Sequence, residues 1–279
     1  MAQWQIGDIK ITKVVELEAQ WPFSALIPDA ADVAPNIDWL KPDFVTDDGR
    51  MRLSIHALVL ETPDRLIVVD TCAGNFKPRP GASALGDLET EFLEDFKTAG
   101  FDPERVDTVV CTHLHVDHVG WNTHLVDGQW VPTFPNATYL FVETEFNHWR
   151  DEPQHYGPVF EDSVQPVFDA GLAQLVESDH LIAEGIFFEP TPGHTPGHCS
   201  VRLCSGDDEA VITGDMMHHP VQIARPEICS TADSDQSAAH ATRLAALERW
   251  NDGRLIIGTH FAGRTAGRLI EDEDGLRLS

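Results

Sequence analysis

The chain has 279 residues, 42% of them hydrophobic, which is enough for one large domain over residues 1–279 with an ample core. Forty-six acidic residues stand against nineteen Lys and Arg, a formal net charge of −27. That balance makes nucleic acid a poor partner, because phosphate binding relies on Lys and Arg. No N-terminal apolar run follows a basic stretch and nothing approaches a membrane span, so a soluble, cytoplasmic protein without membrane contact is expected. The five cysteines form no CxxC pair and several sit in apolar runs, which reads as reduced structural thiols.

In chain order, Trp4 to Leu17 alternates enough to be a strand or hairpin (Ile6, Ile9, Ile11, Val14, Val15). Residues 19–50 carry several prolines and the bulky Trp21, Phe23, Trp39 and Phe44 with weak periodicity. They read as an ordered extension that lids a site, packs on a second subunit to make a homodimer, or lies on its own core. Leu53 to Leu60 and Leu66 to Val69 look like paired strands joined at Pro63-Asp64. Asp87 to Ala99 has Leu88, Phe92, Leu93 and Phe96 at helical spacing, and Gly100 closes it. Val106, Val109 and Val110 mark a buried strand, and residues 137–142 another. Glu143 to Trp149 begins a helix interrupted at Pro153, Val159 to Leu172 reads as an amphipathic helix, and Gln236 to Trp250 as a further one. Glu145, His148, His155, His180, His240 and His56 read as surface groups.

The most informative run is Thr112-His113-Leu114-His115-Val116-Asp117-His118. It sets three imidazoles and a carboxylate just after a strand, where alternate side chains aim at one point. These are the ligand types that zinc and similar divalent ions prefer. One loop cannot enclose an ion, so further ligands are expected downstream. Three β-rich runs lead through Gly to such groups: Ile186-Phe187-Phe188 before Pro192-Gly193-His194, Val211-Ile212-Thr213-Gly214-Asp215, and Leu255-Ile256-Ile257-Gly258-Thr259-His260. Cys111 and Cys199 neighbour these groups but point to the opposite strand face, so neither is taken as a ligand.

With His113-x-His115-x-Asp117-His118 followed by His194, Asp215 and His260, the chain resembles the binuclear hydrolases of the metallo-β-lactamase superfamily over nearly its whole length. The resemblance implies an α/β fold, a four-layer αββα sandwich of two similar halves. It implies that His113, His115 and His194 hold one ion, that Asp117, His118 and His260 hold the second, and that Asp215 bridges. Relatives often have an Asp-Thr-Gly turn where this chain has Asp70-Thr71-Cys72, so Asp70 is expected to orient a ligand histidine by hydrogen bond. His198, in the Pro-Gly-His-Thr-Pro-Gly-His turn, is expected to support the site without binding metal. The two ions are expected to be zinc, with manganese, cobalt or iron also suited to the ligands.

Two ions a few ångströms apart would supply hydroxide near neutral pH, and Asp117 is suited to carry its proton to the leaving group. No Gly-x-Ser-x-Gly elbow appears. The five lysines all precede residue 98, so no Lys lies near the last ligands to grip a drug carboxylate, and a neutral small-molecule substrate is expected. Hydrolysis of a lactone or ester is the leading reading, with acyl-homoserine lactones as the model substrate. Acyl-homoserine lactonases typically place a Tyr three positions after the bridging Asp, whereas this chain has His218. That departure resembles methyl parathion hydrolase, so phosphotriester hydrolysis is the alternative, with β-lactam hydrolysis beside it. His218 is a candidate hydrogen-bond donor or proton relay. Trp121, Phe261, Trp21 and Phe23 are candidates for walling the substrate pocket. The intact ligand set argues against a vestigial binding module, and His115 stands where flavodiiron-type members usually have Glu.

Overall fold

The computed structural model describes residues 2–273 and 275–279. The alternating apolar residues at its start form a hairpin, β1 (Gln3–Ile6) and β2 (Ile9–Trp21), turning at Gly7 with φ of 52°. That left-handed backbone costs glycine little and other residues more. β3 (Met51–Glu61) and β4 (Leu66–Val69) pair antiparallel across the expected turn, where Thr62 N–H donates to the Arg65 carbonyl at 3.0 Å. β5 (Thr108–Val110), the small hairpin of β6 (Thr123–Val126) and β7 (Gln129–Pro132), β8 (Thr138–Val142) and β9 (Ala173–Val176) follow. The first seven-stranded sheet has the order β1-β2-β3-β4-β5-β8-β9 and is parallel from β4 to β9.

The second sheet contains β10 (Leu181–Ala183), β11 (Ile186–Pro190), β12 (Cys199–Ser205), β13 (Asp208–Ile212), β14 (Leu255–Ile257), β15 (Ala266–Asp272) and β16 (Gly275–Leu278) in that order. Among the described residues only β13 and β14 pair parallel in this sheet. The chain divides into two compact units, Met1–Leu17 with Ile55–Glu177, and Glu18–Ser54 with Ser178–Ser279.

Register explains where the chemistry-bearing loops leave each sheet. Val69 of β4 and Val110 of β5 are paired, so Asp70 and Cys111 exit the same edge at the carboxyl ends of parallel strands. Ile212 of β13 and Ile257 of β14 are likewise paired, and the runs to Asp215 and His260 begin there. The carboxyl ends of parallel strands are where open α/β sheets place their ligands.

The helices of the first unit are α1 (Phe92–Thr98), α2 (Glu143–Asp151), α3 (Val159–Ser163) and α4 (Gln165–Asp169); the second unit has α5 (Val221–Ala224) and α6 (Gln236–Trp250). α6 keeps the expected bounds, and Asp235 caps it by accepting from Ala238 N–H at 3.0 Å. α1 starts five residues later than Asp87. The Asn75 side chain pairs with the Thr90 backbone in both directions at 2.8 Å, which holds the preceding residues out of helix. The expected helix over 159–172 is two short helices broken at Val164, with Pro166 in the first turn of α4. Pro166 has no N–H to give the Asp162 carbonyl. Lys77 Nζ donates to that oxygen at 3.1 Å, and Thr123 Oγ1 donates to it as well.

Of residues 19–50, the first three end β2, and four short 3-10 turns follow between Phe23 and Leu40. Phe23, Ile27, Ala30, Ala34, Leu40 and Phe44 of this segment are buried in the core of the second unit, among Met216, Met217, Val221, Leu247, Trp250 and Phe261. Among the described residues no helix is long and apolar enough to cross a membrane.

Candidate metal centre

In the first unit, Asp70 organises the histidine loop. It stands at φ of 56°, as Cys72 does at 54°, a conformation non-glycine residues rarely hold without support. The support is a clasp of backbone bonds: Thr71 N–H to the His118 carbonyl at 2.8 Å, Gly120 N–H to the Cys72 carbonyl at 2.7 Å, and Trp121 N–H to the Thr71 carbonyl at 2.7 Å. The Asp70 carboxylate accepts from Thr112 N–H at 2.8 Å and takes a hydrogen bond from His118 Nδ1 at 2.9 Å. That contact fixes the His118 tautomer, leaving Nε2 to face Asp117 Oδ1 at 3.8 Å. The His113 ring lies 4.7 Å from His115 and 4.0 Å from His118, centroid to centroid. All three imidazoles are buried, whereas the Asp117 side chain is 18% exposed.

In the second unit three histidines turn towards Asp215. His194 Nε2 is 3.4 Å from Oδ2, His218 Nε2 is 3.2 Å from Oδ2, and His260 Nε2 is 3.0 Å from Oδ1. His194 Nδ1 bonds Asp233 Oδ1 at 3.0 Å and His260 Nδ1 bonds the Ser54 carbonyl at 3.2 Å, so each presents Nε2. His198 Nε2 accepts from Asp215 N–H at 2.8 Å while its Nδ1 bonds Thr191. It therefore positions the carboxylate, with both ring nitrogens engaged. Asp233 is held in turn by Ser230 N–H at 2.8 Å, with Arg243 Nη2 at 3.7 Å.

In the second unit His194, His218 and Asp233 offer ligand atoms close enough together to hold a metal ion, and in the first unit His113, His115, Asp117 and His118 gather on one loop. Buried imidazole nitrogens with a second acceptor behind them, converging with a carboxylate, form a donor set that fits divalent metal. In both units the donors sit on loops leaving paired strand ends.

Residues 50–258 match the Metallo-beta-lactamase superfamily. The chain belongs to that superfamily. An N-acyl homoserine lactonase from a Bacillus species is 26% identical to it over 170 residues, 57% of this chain and 62% of the relative. AttM, an N-acyl homoserine lactonase of Agrobacterium fabrum, is 31% identical over 128 residues, 42% of this chain and 44% of the relative. The chain thus spans less than two thirds of the curated relatives it matches. Among solved structures, the hydrolase AbOPH of the beta lactamase superfamily has a TM-score of 0.81 and 26% identity over 99% of this chain and 95% of its own. AidC, a dizinc quorum-quenching lactonase solved with a product, has a TM-score of 0.78 over 100% of this chain and 96% of its own. At 19% identity that second likeness is one of fold. The two mixed sheets described above are those of the metallo-β-lactamase fold, and the chain is distantly related to the lactonases.

Three of the four aromatic candidates of this metallo-β-lactamase protein are buried. Trp121 is 4% exposed, stacks on Phe92 at 5.6 Å and donates Nε1–H to Glu16 at 2.5 Å. Phe261 is fully buried edge-on against Phe44, and Phe23 is buried edge-on against His219. Trp21 is half-buried.

Two groups read from sequence as surface residues are buried, Glu145 and His56. Glu145 accepts from Leu114 N–H at 3.1 Å and from Trp149 Nε1–H at 2.6 Å, which pins the backbone between His113 and His115. Trp149 lies 5.1 Å and Tyr156 5.7 Å from the His115 ring. The i, i+4 pair Glu145 and Trp149 on one helical face was the available signal. Glu16 accepts from Ala73 N–H, Gly74 N–H and Thr90 as well as Trp121, bracing the turn after Asp70. Burial pushes its carboxyl above the ordinary range despite those donors. All five cysteines are free, and burial pushes the Cys72 and Cys111 thiols up, which leaves them protonated and inert.

Proposed function

We propose that this protein is a binuclear metal-dependent hydrolase of a neutral lactone or ester, with N-acyl homoserine lactones as the model substrate. The observation that carries the reading is the shared design of His118, His194 and His260. Each has Nδ1 engaged by an acceptor and Nε2 turned to a carboxylate. In this reading His113, His115 and His194 serve one ion, Asp117, His118 and His260 the other, and Asp215 both. Zinc is the metal of first choice, with manganese, cobalt or iron compatible with the same donors.

Two bound ions supply Lewis acidity and a nucleophile at neutral pH. The chain's own groups do the rest. Asp70, Asp233 and the Ser54 carbonyl fix the tautomer and orientation of the ligand imidazoles. Asp117, the most exposed carboxylate of the set, accepts the nucleophile's proton on Oδ and returns it to the leaving oxygen as the acyl–oxygen bond breaks. His218 belongs to the same machinery through its place beside Asp215. No covalent acyl-enzyme is needed. The formal charge of −27 favours neutral substrates over anionic ones.

The test is a panel of an acyl-homoserine lactone, an aryl ester, a phosphotriester and a cephalosporin, run on one metal-loaded sample. The lactone is expected to give the highest kcat/KM. A triester value tenfold or more above every lactone would replace this reading with phosphotriester hydrolysis.

A further inference from the structure

We propose that His218 is itself a metal ligand, taking a coordination position on the ion held by His194 and Asp215. The inference rests on the binuclear reading above and adds a donor to it. His218 is 2% exposed, yet among the described residues neither ring nitrogen has a hydrogen-bond partner. Its Nε2 lies 3.2 Å from Asp215 Oδ2, close enough for a bond but without the direction one requires. A buried imidazole with two idle nitrogens is costly unless something occupies them.

The spacing identifies what that is. Two donor atoms each about 2.1 Å from one ion stand roughly 3.0–3.4 Å apart. His194 Nε2 and His218 Nε2 lie 3.4 Å and 3.2 Å from the same carboxylate oxygen, and their ring centroids are 4.8 Å apart. The two nitrogen–oxygen distances match the spacing expected of donors that share one ion, with Asp215 Oδ2 common to both. The backbone is pinned to suit: His218 N–H donates to Gln222 Oε1 at 2.7 Å, and the buried Gln222 donates Nε2–H to the Ile228 carbonyl at 3.0 Å. His194 is fixed from behind by Asp233 and Asp215 by His198.

The experiment loads the full-length wild type, His218→Phe and His218→Asn with Co(II). It records the visible absorption of each loaded protein and measures Co(II) affinity by chelator competition. Far-UV circular dichroism of each apoprotein establishes folding, and the Asn variant stands in should Phe not fold. The expected result is a loss of tenfold or more in affinity for one of two ions, with a changed ligand-field spectrum, while the other ion is held as in wild type. Two ions at wild-type affinity with an unchanged spectrum in either folded variant would overturn the ligand role and leave the binuclear reading standing. Fewer than two ions in the wild type would overturn both.

Discussion

Asp233 separates positioning from coordination. Its Oδ1 holds His194 Nδ1 at 3.0 Å while its Oδ2 is occupied by Ser230 N–H. Asp233→Asn keeps the shape but removes the charge that makes His194 a better donor. Metal affinity by chelator competition is expected to fall roughly 10- to 100-fold, with the fold retained. Asp233 was not legible in the sequence because it lies 39 positions from its partner, in a polar stretch with no periodicity. Asp70 was legible because it follows directly from a strand. His219, adjacent to His218, has a different role. Its Nε2 bonds the Phe44 carbonyl at 2.9 Å, its Nδ1 accepts from Val221 N–H, and burial holds its pKa at about 4 against an ordinary 6.5. The unfolded chain binds this proton more readily, so the stability from neutral His219 is complete above pH 6.5 and is lost as pH falls towards 4. The loss is on the order of 3 kcal/mol as an upper bound. Urea midpoints measured across that window are expected to fall in wild type and to fall less in His219→Gln.

At the scale of elements, the strands and α6 were legible because period-2 and helical patterns extend through them, as at Ile186–Pro190 and Gln236–Trp250. Segments governed by a side chain from far away were not. Asn75 unwinds the start of the expected helix before Phe92, and Lys77 with Thr123 satisfies the carbonyl that Pro166 abandons. Neither partnership leaves a periodic trace. The clasp between the 70–74 turn and residues 118–121 is the element on which His118 depends. A Cβ on Gly120 would overlap the Ala73 carbonyl and Gly74 N. Gly120→Ala is therefore expected to cost about 2 kcal/mol or more in denaturant unfolding and to weaken metal binding together with it. Phe44→Ala, in the arm's fully buried cluster, is expected to cost about 3–5 kcal/mol without changing metal stoichiometry in the folded fraction.

For the whole molecule, the two seven-stranded sheets and their ligand loops follow one plan, strand ends paired in register with the donors just beyond. The candidate donors and their order could be read from the sequence because they lie on the loops that follow strand ends. The division into two units could not, since each is assembled from segments far apart in the chain. A net charge of −27 implies self-repulsion that ions relieve. Thermal unfolding of the apoprotein is expected to shift upward as NaCl is raised, and a Tm independent of salt would contradict that. Metal acts separately by mass action on the folded state. Calorimetric titration of apoprotein with Zn(II) tests the central claim most directly. Two ions per chain, with a raised Tm in the loaded form, is the predicted result; one ion or fewer per chain would contradict the binuclear centre.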